Sequence, residues 1–310
     1  MFHVKPSDNA SPSHDFGMDT PLARELADLS SRRKALREVN VTFSGETRIF
    51  TVSNQKGGVG KTTSAVNLAS ALAELGAKVL VIDLDPQGNA STALSIPHTA
   101  DTSSIYDVLI NDLPFAEIVQ PSPESENLYC APSTIHLAGA EIELVSQVAR
   151  EFRLRRALKT YLDDNHMDVV IIDCPPSLGL LTINAFTAAT EVLIPIQAEY
   201  YALEGLSQLL GNIQMIQKHL NPELHLSTIL LTMFDARTRL SQQVADEVRN
   251  HFPQQVLDAV IPRSVRVSEA PSFGQTVITY DGTSAGAVAY REAAVEIAQR
   301  GERSSQNKEQ

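Results

Sequence analysis

The chain has 310 residues, of which 43% are hydrophobic, and carries a formal net charge of −12. This length and composition suffice for one large α/β domain with appendages. The acidic charge excludes a protein that coats nucleic acid with its whole surface, but it leaves room for a local basic patch. No run of about 18 uncharged apolar residues occurs, and the N-terminus lacks the basic start and apolar core of a secretory signal, so we expect a soluble, cytoplasmic protein.

The two cysteines, Cys130 and Cys174, lie far apart and have no CxxC spacing. Such a pair encodes neither a disulfide framework nor a zinc site. We expect both to be buried thiols in a reducing compartment.

Residues 1–47 precede the first apolar run and form an N-terminal extension. The extension is first rich in Ser, Pro and Asp and then becomes charged and helix-prone, with one helix face lined by Leu22, Leu26 and Leu29. Two interpretations stay open. The extension is weakly ordered or helical because it has too little apolar surface to fold alone, or it docks to a partner or DNA through Arg32, Arg33, Lys34 and Arg37.

From residue 48 to 300, short β-branched runs alternate with helical patterns. The apolar runs occupy residues 49–53, 78–83, 127–131, 168–173, 192–196, 226–234 and 255–261. Strands this uniformly apolar are buried on both faces, which predicts an α/β fold with a mostly parallel central sheet and helices on both faces. The ligand site of such a sheet lies at the carboxyl ends of the strands. Residues 301–310 form a polar C-terminal tail.

A glycine-rich segment, SNQKGGVGKTT, leads directly from the first run into a helical pattern. Gly57, Gly58 and Gly60 allow positive φ, so successive backbone N–H groups can converge on phosphate oxygens at a helix N-terminus. Lys61 would reach the β and γ phosphates, the Thr62 hydroxyl would ligate Mg²⁺, and Thr63 can contact the α phosphate. The segment therefore predicts a P-loop site for a nucleotide and Mg²⁺.

The usual pattern GxxxxGK[ST] is not met, because Gln55 stands where its first glycine belongs. The segment KGGVGKT instead resembles the P-loop ATPases of the deviant Walker A type, a class that includes ParA, MinD and the nitrogenase iron protein. The resemblance implies that ATP is bound by Lys56, Gly57, Gly58, Val59, Gly60, Lys61, Thr62 and Thr63. It also implies that Lys56 crosses a dimer interface to the partner's nucleotide, where two sandwiched triphosphates need neutralising from both sides. The alternative for Lys56 is an ordinary solvated loop lysine.

Carboxylates follow two of the apolar runs. Asp83 and Asp85 are spaced i, i+2 at the end of a strand and point the same way. The resemblance implies that Asp85 orients the attacking water and that Asp83 supports the Mg²⁺ shell, whereas the alternative for Asp85 is the start of a turn with Pro86. Asp173 closes the run VVIID and matches the Walker B acid, which binds Mg²⁺ through water.

Within this class the chain resembles the ParA (Soj) chromosome-partitioning family over residues 48–300. The matching stretches are NQKGGVGKTT, DLDPQGNAST, DCPPSLGLLT, PIQAEYYALEGLSQLL, TMFDARTRLSQQVADEV and IPRSVRVSEAPSFGQ. The resemblance implies catalytic roles for Lys56, Lys61 and Asp85. It further implies that Pro262 and Ser264 contact the adenine end of the nucleotide, although Ser264 stands where Asn is common in the family.

The same resemblance implies sequence-independent binding of double-stranded DNA through Arg237, Arg263 and Arg266, with Arg239 alongside. A few arginines on an acidic domain give weak and salt-dependent binding, and an ATP-built homodimer would bring two such patches onto one surface. The alternative is a solvated face with ordinary salt links.

The resemblance thus implies an ATP-dependent partitioning switch on the bacterial nucleoid, in which a ParB-like centromere-binding partner stimulates hydrolysis and the replicon is a chromosome or a plasmid. A MinD-like positioning ATPase that acts on a non-DNA surface is the alternative, but it would need an amphipathic C-terminal helix, and GERSSQNKEQ has no apolar residue. A nitrogenase-type reductase would need cysteines placed to bridge an iron–sulfur cluster. A metabolic ligase would need a small-molecule pocket for which no motif is present.

Overall fold

The structure is a computed structural model that describes residues 20–43, 45–199 and 202–308. The described residues up to Glu38 form one compact unit, and those from Val39 onward form another.

The first unit contains helix α1 (Pro21–Arg37). Thr20 caps this helix by accepting a hydrogen bond from the Ala23 amide at 3.2 Å, and Pro21 takes the first helical position, where a missing N–H is harmless. Lys34 and Arg37 occupy the last turn, at the negative end of the helix dipole. Residues 1–19 and the side chain of Leu22 lie outside the described residues.

The second unit is built on strands that coincide with the predicted apolar runs to within one or two residues. They are β1 (Arg48–Val52), β2 (Val79–Asp83), β3 (Gln120–Pro121), β4 (Leu128–Ala131), β5 (Val169–Asp173), β6 (Glu191–Gln197), β7 (His225–Phe234) and β8 (Val256–Pro262). The two-residue β3 was not predicted, because so short a strand has no periodicity.

The helices of the second unit lie between the strands along the chain or follow the last strand, β8. They are α2 (Lys61–Glu74), α3 (Asn89–Ala93), α4 (Ile105–Ile110), α5 (Leu137–Glu143), α6 (Arg153–Asp164), α7 (Leu180–Ala188), α8 (Ala202–His219), α9 (Arg239–His251), α10 (Val265–Glu269), α11 (Val277–Tyr280) and α12 (Ala285–Lys308). Short 3-10 turns lie between some of them, for example at Ala270–Phe273.

Among the described residues, eight strands form one sheet in the order β3-β4-β2-β5-β1-β6-β7-β8. Every neighbouring pair is parallel except β3 with β4. Val52 of β1 pairs with Asp173 of β5, and Asp173 pairs with Asp83 of β2. The two carboxylates and the start of the glycine loop therefore lie at one level on the carboxyl edge of the sheet. The predicted fold class is confirmed.

The central strands are buried on both faces, as their uniform hydrophobicity predicts. Val79 and Val81 of β2 pack into the cluster that α2 and α12 complete, whereas Leu80 and Ile82 pack into the cluster on the opposite face with α4 to α7. Alternation along the strand sends successive side chains to opposite faces. A third cluster joins β6 and β7 to α8 and α9.

The helix bounds and core packing of the structure extend beyond the boundaries drawn from the sequence at both ends of the domain. Val41 and Phe43 pack against the core cluster of α2 and α12, so the ATPase domain includes residues that we assigned to the extension. Thr42 also donates two hydrogen bonds to Oε1 of Glu302, one from its amide at 2.6 Å and one from its hydroxyl at 2.8 Å. At the other end α12 continues to Lys308, so most of the polar segment 301–310 is helical. A helix whose first turns are packed in the core can continue through a polar segment.

A partly buried ion pair joins β1 to β6 at the amino end of the sheet, opposite the glycine loop. The Arg48 guanidinium donates to both carboxylate oxygens of Glu191 at 2.7 and 2.8 Å and to the Ile297 carbonyl of α12 at 2.7 Å. It also lies over the Phe50 ring, 4.7 Å from the centroid. Only 7% of Glu191 is exposed, so its charge depends on Arg48.

We therefore expect Arg48→Met to lower the free energy of unfolding by about 3 kcal/mol, because it leaves the Glu191 carboxylate buried without its partner. The double change Arg48→Met with Glu191→Leu should recover most of this loss, since it removes both charges. Urea unfolding monitored by circular dichroism measures the free energies of unfolding of both variants. A double variant as unstable as the single one would contradict this account of the pair.

Candidate functional site

The glycine loop connects β1 to α2 and has the open, left-handed backbone that a phosphate cradle requires. Gly58 and Gly60 have φ values of +74° and +86°, which strongly favour glycine. Apart from the adjoining residues, the described part of the chain places no heavy atom within 4 Å of where a Cβ would stand on Gly57 or Gly58. The loop thus leaves room for phosphate oxygens in front of the first amides of α2.

Two polar residues that sequence reasoning missed fasten this loop to the neighbouring strands. The Asn54 side chain donates to the Pro195 carbonyl of β6 at 2.8 Å and accepts from the Lys56 amide at 3.0 Å. The Thr232 hydroxyl of β7 donates to the Val59 carbonyl at 2.8 Å. Asn54 adjoins the motif and could have been suspected, but Thr232 is far away in the sequence and gives no signal there.

Lys61, at the first position of α2, is buried with only 8% of its surface exposed. Its ammonium donates to the Lys56 carbonyl at 3.4 Å. Burial lowers the pKa of Lys61, and the nearby carboxylates of Asp173 and Asp85 partly offset that effect. The predicted phosphate-binding lysine and two predicted carboxylates therefore converge on one place.

Asp173 has the most unusual environment of the site. Its carboxylate is fully buried, and neither oxygen has a hydrogen-bond partner of normal geometry within the described chain. Burial, followed by repulsion from Asp83, raises the pKa of Asp173 well above its usual value, and the nearby Thr62 hydroxyl lowers it only in part. A buried carboxylate without partners is unfavourable unless a ligand supplies them.

Asp83 is buried to the same extent but is already satisfied by its own chain. Its Oδ2 accepts hydrogen bonds from the amide and hydroxyl of Ser91 at 2.8 and 2.7 Å, and its Oδ1 accepts from the Asp85 amide at 3.3 Å. Burial raises the pKa of Asp83 to about 6 despite these bonds. Ser91 Oγ also accepts from the Ser133 amide at 3.2 Å, so this unpredicted serine joins the ends of β2 and β4.

Asp85 combines the two interpretations that the sequence left open. Its Oδ1 accepts from the Gln87 amide at 3.0 Å, and the Gly88 amide donates to its backbone carbonyl at 3.0 Å, so it does start a turn. The same carboxylate is close enough to Lys61 and Asp173 to affect the pKa of each. The turn therefore holds a carboxylate at the rim of the cradle.

The residues present fit Mg²⁺ bound together with a nucleotide. Within the described residues, no group of three or more His, Cys, Asp or Glu side chains is arranged to hold a metal ion alone. Magnesium in nucleotide sites takes few protein ligands and relies on phosphates and water for the rest. The Thr62 hydroxyl and the two unpartnered oxygens of Asp173 supply that kind of partial set.

Lys56 lies beside the loop and is paired within its own chain. Its Nζ is 2.7 Å from Oε2 of Glu199, which follows β6, and each side chain is close to half exposed. The other oxygen of Glu199 accepts a short hydrogen bond from the Gln197 side chain. Sequence reasoning did not anticipate Glu199, although it belongs to the stretch PIQAEYYALEGLSQLL, of which Tyr200 and Tyr201 lie outside the described residues.

The residues assigned to the adenine end lie at the same edge of the sheet. Pro262 is the last residue of β8 and pairs with Phe234, the last residue of β7. Ser264 precedes the first turn of α10 with extended backbone angles. The structure thus brings Pro262 and Ser264 to the carboxyl edge.

The arginines assigned to DNA follow β7 and β8, and carboxylates accompany them. Arg237 is 88% exposed and donates to both oxygens of Asp235 at 2.9 Å. Hydrogen bonds from Arg237, with a smaller effect of the Arg263 charge, lower the pKa of Asp235 to about 2. Arg266 is 3.4 Å from both Glu269 and Asp281. Arg239 is the first residue of α9, two residues after Arg237.

The structure agrees with the expectation that both cysteines are buried thiols. Cys130 and Cys174 are both buried and free, and burial raises the pKa of each thiol, in the case of Cys174 to about 12. The Cys174 sulfur lies 3.1 Å from the Thr51 hydroxyl, so it packs against β1. In the described part of the chain, no helix has the length and apolar character needed to cross a membrane.

This placement of a glycine loop between a central parallel strand and a helix, with a buried carboxylate closing the next strand, is that of the P-loop ATPases. Lys56 ahead of the first glycine gives the deviant Walker A form.

Comparison with known proteins extends this conclusion. The model of the AAA domain family matches residues 47–226. The chain is 52% identical to the sporulation initiation inhibitor protein Soj of Bacillus subtilis over 82% of its length and 99% of that protein. It is 53% identical to the chromosome partitioning protein ParA of Myxococcus xanthus over 78% of its length and 85% of that protein. The chain belongs to the ParA/Soj family of chromosome-partitioning ATPases, and ATP and Mg²⁺ are its nucleotide and metal.

Solved structures agree on the fold. A cobyrinic acid a,c-diamide synthase from Mycobacterium smegmatis with bound ADP and magnesium is 39% identical, with a TM-score of 0.69 over 80% of this chain and 93% of that one. The cell division ATPase MinD of Pyrococcus furiosus is 26% identical, with a TM-score of 0.67 over 81% of this chain and 98% of that one.

We expect Asp173→Asn to raise the melting temperature of the nucleotide-free protein, because it removes a buried charge that has no partner. The same change should abolish most of the stabilisation by MgATP, which for the parent protein is about 2.7 kcal/mol at an ATP concentration of about 100 Kd. Differential scanning fluorimetry with and without MgATP measures both effects.

Asp168→Asn is the matched control, because Asp168 immediately precedes the amino end of β5, away from the cradle. Its carboxylate accepts a hydrogen bond from the Lys78 amide at 2.7 Å. It should leave the shift by MgATP intact. An Asp173→Asn protein with the full shift would contradict the assignment of Asp173 to Mg²⁺.

Proposed function

We propose that this partitioning ATPase is an ATP-dependent switch between a single chain that is free of DNA and a homodimer that binds DNA without sequence preference. The observation that carries the proposal is the gathering of the phosphate loop, Lys56 and the DNA-assigned arginines at one edge of the sheet. A contact made at that edge by a second subunit therefore involves nucleotide and DNA surfaces together.

The glycine loop and the first turn of α2 would bind the nucleotide. The amides of residues 57–63 would cradle the phosphates, Lys61 would neutralise the β and γ phosphates, and Pro262 with Ser264 would contact the adenine end. Mg²⁺, when bound, neutralises charge on the triphosphate, and Thr62 and Asp173 would hold it. Asp83 would act indirectly, since its bonds to Ser91 and to the Asp85 amide shape the loop that carries Asp85.

Dimerisation depends on Lys56. A lysine at the rim of the cradle, with its side chain close to half exposed, could reach across to a facing subunit once its ion pair with Glu199 is broken. Its ammonium would then bind the partner's triphosphate, whose charge two facing subunits can neutralise better than one. ATP therefore favours the pair, and loss of the γ phosphate weakens it.

DNA binding follows from pairing the arginines. Arg237, Arg263 and Arg266 stand among carboxylates on a protein of net charge −12, so one copy of the patch binds phosphate weakly. Two copies on one dimer bind the same duplex together, which multiplies the affinity without a new contact.

Hydrolysis reverses both the contact between the subunits and the contact with DNA. Asp85 would position the attacking water or accept its proton, a contribution typically of about 10²- to 10⁴-fold in rate. A ParB-like centromere-binding partner would stimulate this step, so that a bacterial chromosome or plasmid follows the boundary of ATPase bound on the nucleoid. A MinD-like positioning ATPase on a non-DNA surface would share the ATP cycle but would not require the arginines.

We expect Asp85→Ala to dimerise with ATP and to remain on DNA, because it keeps the nucleotide contacts but loses water positioning. A DNA mobility shift with ADP, ATP and a non-hydrolysable analogue, followed by sedimentation, tests this. Lys61→Ala is the control that should remain a monomer off DNA with every nucleotide. The proposal fails if the Asp85→Ala protein stays a monomer with saturating ATP while its nucleotide binding is normal.

We expect Arg237→Ala combined with Arg263→Glu to leave the ATP-dependent dimer intact and to remove DNA binding at moderate salt. Fewer phosphate contacts also flatten the dependence of log K on log salt, by about 0.9 per lost contact. Fluorescence anisotropy of labelled duplex DNA over a salt series measures both.

The matched control is Arg155→Ala with Lys159→Glu, which changes charge equally on exposed positions of α6. It should bind DNA as the parent does. Tight binding by the Arg237/Arg263 variant at moderate salt would reject the patch and would favour the non-DNA alternative.

A further inference from the structure

The ion pair between Lys56 and Glu199 has a consequence for dimerisation. A lysine ammonium that sits 2.7 Å from a carboxylate oxygen of its own chain is not at the same time at the phosphates of a partner subunit. Contact with the partner's nucleotide therefore requires this pair to break first. Glu199 and the partner's triphosphate compete for one ammonium.

Glu199 is held in place for this competition. Gln197 donates to its other carboxylate oxygen, and the Glu199 amide donates to the Gln197 carbonyl at 2.8 Å. The preceding residue is fixed from two sides, since the Ala198 amide donates to the Thr232 carbonyl and its carbonyl accepts from the Ser241 hydroxyl, both at 3.4 Å. The carboxylate thus stands on a supported backbone at the end of β6, next to the loop that carries Lys56.

The backbone of Lys56 is equally constrained, whereas its side chain is not. The Lys56 amide donates to Asn54, and its carbonyl accepts from the Lys61 ammonium. Breaking the pair with Glu199 therefore needs only a side-chain rotation, with no rearrangement of the cradle. A triphosphate carries several negative charges and displaces a single carboxylate more readily than a diphosphate does.

We propose that Glu199 is a positioning residue that holds Lys56 within its own subunit and so sets the threshold for ATP-dependent pairing. The proposal rests on the proposed function, in which Lys56 crosses to the partner. The dimer forms only from subunits whose Lys56 is released, so the apparent association constant is reduced by the released fraction of each subunit. An exposed ion pair changes such a fraction by about 1.5- to fivefold. Because two subunits release their lysines, the association constant changes by about 2- to 25-fold.

The test is Glu199→Gln, which keeps the shape and the hydrogen bond from Gln197 but removes the charge. Analytical ultracentrifugation with the non-hydrolysable analogue AMP-PNP and Mg²⁺ measures the dimerisation constant. We expect Glu199→Gln to raise it by about 2- to 25-fold at low salt, and we expect this difference to shrink at about 1 M salt, where surface pairs are screened. Glu223→Gln, an exposed carboxylate that precedes β7 at the opposite edge, removes the same charge and should leave the constant unchanged.

A double-mutant cycle shows whether Glu199 acts through Lys56. If it does, Glu199→Gln restores no dimer in a Lys56→Ala background, and a dimer restored there would show that Glu199 acts independently of Lys56 and would overturn the positioning role. An unchanged or lower constant for Glu199→Gln, while Lys56→Ala abolishes the dimer, overturns the positioning role alone. A Lys56→Ala protein that dimerises as the parent does overturns the proposed function instead.

Discussion

Two carboxylates buried on neighbouring strands, Asp83 and Asp173, impose the constraint on which the site depends. Burying charge is unfavourable unless hydrogen bonds or opposite charges compensate for it. Asp83 is compensated by Ser91, whereas Asp173 has no hydrogen-bond partner within the described chain, and the nearby Lys61 is itself destabilised by burial. The site therefore contains unfavourable buried charges of both signs. Mg²⁺ and the triphosphate supply the opposite charges. Ligand binding and the stability of this edge of the sheet are therefore linked.

The basic residues assigned to intermolecular contacts follow a second rule. Lys56 is paired with Glu199, Arg237 with Asp235, and Arg266 with Glu269 and Asp281. An intermolecular contact made by any of these three residues would replace an intramolecular one, so its net free energy would be small and would depend on salt. Small net free energies of exchange suit the proposed switch, which would release its partner subunit and its DNA after every hydrolysis step.

Much of the fold could be predicted because its central strands are buried on both faces and therefore read as continuous apolar runs. The short elements β3, α3 and α10 could not, because two to five residues show no periodicity. The sequence did not indicate that α12 continues past its apolar part to Lys308, because the polar segment 301–310 gives no helical signal of its own.

The motif residues of the candidate site could be proposed from the sequence, because a phosphate loop is a local structure whose glycines and lysine lie within a few residues of one another. The sequence by itself thus determined the fold class, the glycine loop with Lys61, and the carboxylates that end β2 and β5. Only the tertiary structure decided that Asn54 and Thr232 anchor the loop and that Glu199 pairs with Lys56. These contacts join residues more than 100 positions apart, and their geometry comes from the order and register of parallel strands, which no local pattern encodes.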